Sequence, residues 1–175
     1  MQLFKRIITG FFLVIIFFVL QTTVFKWLSF GGIVPNLLII LTATYGMMRG
    51  DRYGLLIGFF CGLLADIFFG SFIGLNALFY MYIGYLNGKF HQIYYEDDIK
   101  LPLALILGSD LVYGLSYYTI MFLLRSRFDF SFYFMNTILP EAIYTILVSL
   151  LFYPLLLLIH KFIEKRSDKD GMSFV

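Results

Sequence analysis

Three acidic side chains interrupt stretches that are otherwise apolar: Asp66, Asp110 and Glu141. A carboxylate in hydrocarbon costs a few kcal/mol even on lenient insertion scales. Each is therefore expected to be protonated, paired, or turned toward other protein groups. Asp66 lies fourteen residues beyond Arg52, about 21 Å along a helix, and so close to the far end of its apolar segment. Asn76 opens the next segment, and Glu141 follows Pro140 at the start of the last one. Asp66, Asn76 and Glu141 thus reach similar depth from three helices and are expected to form one intramembrane polar cluster, with Arg125 or Arg127 near it. Asp110 falls near the middle of its own segment and is a further candidate member, with Ser109 and Ser116 available as partners. A buried acid of this kind can mark a proton or ion path. Its helix has no second acid at helical spacing, however, and no broken helix pair is evident, so a structural or pocket-lining role fits better. For Glu141 the simpler reading is a charge cap: proline suits a first helical turn, and an acid there complements the dipole.

Other chemistry finds little support. No P-loop, G-x-S-x-G, H-x-x-x-H or paired-acid hydrolase pattern occurs. His91 and His160 are too far apart in sequence to argue a metal site, and the lone Cys61 sits in an apolar run as a packing residue. Neither catalysis nor a cofactor or metal is expected. The formal charge of +2 carries no basic stripe of the kind nucleic acid would need.

The elements that would hold these acids are membrane helices. Of 175 residues, 61% are hydrophobic and 14% charged, against about 25% charged in soluble domains. A soluble fold of this size has too few polar residues to coat 22 Phe and 13 Tyr. Six spans are expected, at about 7–25, 33–48, 53–69, 72–87, 101–124 and 136–160, followed by a polar tail over 164–175 that is expected to be disordered. Only Asp66, Asp110 and Glu141, out of 13 basic and 11 acidic residues, fall inside the spans. Lys5 and Arg6 before the first apolar run resemble the start of a signal peptide, but no small-residue cleavage site follows, so a retained first helix is expected. With the N-terminus inside, ten Lys and Arg lie on the inner side and three, Lys26, Arg125 and Arg127, on the outer side. That bias places both termini in the cytoplasm. The link Gly70 to Gly74 is short enough to force a tight antiparallel hairpin. Leu86, Phe90 and Ile93 share a helical face beyond the fourth span. They read either as a solvated loop or as an amphipathic stretch.

The third span carries Gly54, Gly58 and Gly62, and the four-residue step continues through Asp66 to Gly70 and Gly74. Glycines at this spacing make a flat stripe where another helix can come close. That helix is either a neighbour in the same chain or the single span of a partner.

These residues carry a resemblance. The run Gly58-x-x-x-Gly62-Leu63-Leu64-x-Asp66-x-x-x-Gly70-x-x-x-Gly74-Leu75-Asn76-Ala77-Leu78 resembles the bacterial rod shape-determining MreD family. So do Val34-Pro35-Asn36-Leu37-Leu38-Ile39 and the turn Arg49-Gly50-Asp51-Arg52. The resemblance implies an all-α integral membrane protein, a six-helix bundle like the substrate-binding component of energy-coupling factor transporters. It also implies a non-enzymatic scaffold of the elongasome in the bacterial inner membrane, paired with MreC. Through that pair it would reach MreB, RodA and a class B penicillin-binding protein during lateral peptidoglycan synthesis. Gly54, Gly58, Gly62, Asp66, Gly70, Gly74 and Asn76 would then be the docking core. The alternative is a vitamin-transporter subunit. Such subunits carry small residues at four-residue spacing on the first helix, whereas this one reads Gly10-Phe11-Phe12-Leu13-Val14 and continues bulky.

Overall fold

The computed structural model describes residues 2–70, 72–95, 99–125 and 130–172, with side chains described within 8–70, 72–95, 99–120 and 130–162. The described chain is helical: α1 (Gln2–Thr22), α2 (Val24–Trp27), α3 (Leu37–Arg49), α4 (Asp51–Phe69), α5 (Leu75–Lys89), α6 (Lys100–Arg125), α7 (Phe130–Tyr133) and α8 (Leu139–Met172). A 3₁₀ turn (Phe90–Ile93) follows α5, and a π-helical turn (Phe134–Ile138) joins α7 to α8. Four stretches are long and apolar enough to cross a membrane: Ile8–Trp27, Asp51–Phe69, Lys100–Ile120 and Phe130–Phe162. Between them α3 and α5 are shorter, with 13 and 15 residues.

α3 is the axis of the bundle. Every residue from Leu37 to Met48 is buried, and α1, α4, α5, α6 and α8 all pack on it. Thr42, Thr44 and Tyr45 are enclosed along with its apolar residues, so protein rather than lipid covers every face of this helix. The outer helices show the reverse pattern. Phe12 and Ile8 on α1, and Leu147, Leu151 and Leu158 on α8, stand exposed. In water such surfaces would drive aggregation, whereas lipid tails solvate them.

Several boundaries depart from expectation, each for a local reason. The second helix starts at Leu37 rather than 33, because Phe30 and Ile33 close a turn through paired backbone hydrogen bonds and Pro35 precedes the cap Asn36. The fourth starts at Leu75 rather than 72, where Gly74 takes φ 102° as the cap. The last helical run begins at Phe130, not 136. Pro140 and Glu141 nevertheless lie in the first turn of α8 itself, as the reading of Glu141 as an N-terminal charge cap expects. Pro140 has no N–H to offer the carbonyl four residues back, and the wider π turn just before it accommodates that gap without ending the helix. The tail is corrected as well: α8 continues to Met172 instead of becoming disordered at 164. Glu164, Lys165 and Arg166 are good helix formers, and no glycine lies between them and Gly171.

Beyond α5, the 3₁₀ turn packs against α3, with His91 Nδ1 2.7 Å from the Met47 carbonyl oxygen. Leu86, Phe90 and Ile93 remain exposed.

Candidate functional site

Asp66 lies in the last turn of α4 and is only 2% exposed. Gly70 ends that helix by donating its N–H to the Asp66 carbonyl (3.0 Å) and turning extended. The chain then returns through Gly74, whose left-handed conformation a side chain would resist. This return brings the start of α5 onto the Asp66 carboxylate. Oδ2 accepts from Gly74 N (2.9 Å) and Ala77 N (2.9 Å), and Oδ1 accepts from Asn76 N (3.0 Å). The first N–H groups of a helix have no partner within it, and the dipole there favours negative charge. Asp66 thus caps α5 from the preceding helix, and its burial is offset by three hydrogen bonds from backbone N–H groups. This geometry accounts for the spacing of Asp66, Gly70, Gly74 and Asn76: helix end, reversal, left-handed start and seal.

The glycine stripe works in the same hairpin. A Cβ added at Gly54, Gly58 or Gly62 would overlap the backbone of Gly84, Tyr80 or Ala77 on α5, and one added at Gly84 would overlap Gly54. The pairing runs 54 to 84, 58 to 80 and 62 to 77, so the helices are antiparallel and their backbones touch. This face of α4 is filled by the chain's own α5, which leaves it no room for a partner's span.

From the hairpin a ladder of hydrogen bonds crosses the bundle. Tyr113 on α6 donates to Asn76 Oδ1 (2.9 Å). Tyr80 on α5, its ring 5.1 Å from that of Tyr113, donates to Asn36 Oδ1 (2.8 Å) at the cap of α3. The Asn36 N–H donates to Thr145 Oγ1 on α8 (3.0 Å). Thr145 in turn lies within hydrogen-bonding reach of Asp110, and Asn36 within reach of Glu141, which makes the two acids neighbours. Asp110 is 4% exposed, and its Oδ2 has no hydrogen-bond partner.

The four residues singled out from the sequence therefore fall into two pairs. Asp66 and Asn76 meet directly. Asp110 and Glu141 share the Asn36–Thr145 node. Tyr80 and Tyr113 join the pairs, and no hydrogen bond links Asp66 to Glu141 among the described residues. Arg127 and the Arg125 side chain lie outside the described residues. Sequence reasoning did not assign Asn36, Tyr80, Tyr113 and Thr145 to the cluster. A signal was available: Asn76 and Tyr80, Asp110 and Tyr113, and Glu141 and Thr145 are polar pairs three or four residues apart, each on one helical face.

Among the described residues no group of three or more His, Cys, Asp or Glu could hold a metal ion. The arrangement can fix the register of α3, α5, α6 and α8, because a slip of one residue would strand polar groups in an apolar interior.

A protein-family model described as rod shape-determining protein MreD matches residues 1–163. No curated protein and no solved structure matches the chain.

Proposed function

Since the chain belongs to the MreD family of rod shape-determining membrane proteins, we propose that it serves as a non-enzymatic scaffold of lateral wall synthesis. It pairs with MreC, a single-span protein, and through it with MreB, RodA and a class B penicillin-binding protein. The family match over nearly the whole chain carries this reading. The interior supports it: nearly all the buried polar side chains described above bond to one another or to backbone, which is how a rigid platform is built. The four long apolar helices, completed by α3 and α5, make six spans in the inner membrane, in the bundle form of energy-coupling factor substrate-binding subunits. The distribution of Lys and Arg puts both termini in the cytoplasm. Nothing favours the vitamin-transporter alternative.

Depletion in the native rod-shaped cell tests the proposal. Cells are expected to round, and MreC is expected to co-purify with the protein from detergent extracts. Normal rods after depletion, or a protein free of MreC, would count against it.

A further inference from the structure

Arg49 ends α3 at the polar edge of the bundle, and its side chain is partly buried. Its guanidinium carbon stands over the Tyr45 ring, 5.3 Å from the centroid. Tyr45 in turn marks the seam between α1 and α4: a Cβ added at Gly10 would come within 3.8 Å of its ring and 2.8 Å of the Ile57 side chain. Arg49 lies one helical turn beyond, at the polar mouth of that seam.

The guanidinium has no acceptor. Nε and Nη2 are buried without a hydrogen-bond partner, and among the described residues Arg49 makes neither a hydrogen bond nor an ion pair. Nη1 is the nitrogen left open to the surface. A cation in a last turn suits the helix dipole, and the Tyr45 face attracts it, but neither accepts from its N–H groups. The next turn does not neutralise it. Asp51 gives Oδ1 to the Arg52 N–H (2.7 Å), and the Arg52 side chain is exposed. The end of α5 brings a further cation, Lys89, to the same corner, where a Cβ added at Gly88 would meet the Asp51 backbone. Outside the seam the surface turns apolar at once: Ile8 and Phe12 on α1, and Leu56 and Phe59 on α4, are exposed. An occupant that fits needs an anionic head, with oxygens to accept from Nη1, and hydrocarbon to lie on those side chains.

We propose that Arg49 holds the phosphate of an anionic phospholipid whose acyl chains run along the α1–α4 face. The planar fork, already ordered over Tyr45, presents Nη1 to a phosphate oxygen. A zwitterionic phospholipid brings the same phosphate with an ammonium group, which Arg52 and Lys89 repel. The proposal is independent of the pairing with MreC.

Thermal melts of the detergent-purified protein with added phosphatidylglycerol, phosphatidylcholine of the same chains, or inorganic phosphate test it, with bound lipid followed by native mass spectrometry. Phosphatidylglycerol is expected to raise the melt and to bind about fivefold or more tighter than phosphatidylcholine. Arg49→Gln should lower its affinity about tenfold, the scale of one charge-assisted hydrogen bond. Arg52→Gln, at an exposed neighbour, should stay within about twofold of the wild type. Equal protection of the wild-type protein by the two lipids would overturn the proposal, whether or not Arg49→Gln folds. So would protection by inorganic phosphate that matches phosphatidylglycerol, which would mark a soluble-anion site. An equal loss in Arg49→Gln and Arg52→Gln would also overturn it, since general surface charge would then explain the binding.

Discussion

The two sides of α5 use the same residue types to opposite ends. Toward α4, glycines meet backbone and the one buried acid, Asp66, has three N–H partners. Toward α6, Gly108 faces open space and Asn87 keeps an oxygen unpaired. The first interface is complete within the chain, and the second is unfinished. The glycine and acid motif that stands out most in the sequence therefore explains how the hairpin is built.

The contrast can be broken in graded steps. Gly58→Leu should have the largest effect, because the side chain would have to displace the Tyr80 backbone. A loss of about 3 kcal/mol or more is expected, seen as failure to recover a monodisperse protein in detergent. Next comes Asp66→Ala, which leaves three N–H groups unpaired, two of them buried, and should lower stability by about 3 kcal/mol in a thermal melt. Asp66→Asn retains an acceptor and should fall between this variant and the wild type. Tyr113→Phe removes one rung of the ladder, the bond to Asn76. About 1 kcal/mol is expected by the same melt. Asp110→Asn should be nearly silent, within about 1 kcal/mol of the wild type, because it removes a carboxylate oxygen that has no hydrogen-bond partner beside another acid. A large loss there would show that the Asn36–Thr145 node depends on the Asp110 carboxylate.

What the sequence disclosed follows how local each feature is. The hairpin is written in four-residue spacing and a five-residue link, and both act within a few turns of chain. The ladder is not local: Tyr80 and Asn36 are 44 residues apart, and Asn36 and Thr145 are 109 apart. Pairs of polar residues on single faces mark the participants but not their partners. The last helical run starts before the expected 136 because α7 and the π turn extend it upstream of α8, whose own first turn does hold Pro140 and Glu141. The tail was misread because its polarity was weighed above its helix propensity. That α3 would be the enclosed axis was not evident, since a short apolar helix at the centre looks in sequence like one at the edge.

The central claim is that the interior acids beyond the hairpin hold the scaffold in place and perform no chemistry. Cell shape in a depletion strain tests it most directly, with a rescuing copy that carries Asp110→Asn and Glu141→Gln together. Restored rods are the expected result. Round cells, despite normal levels of a folded protein that still binds MreC, would contradict it and point to a chemical or transport role for the acid pair.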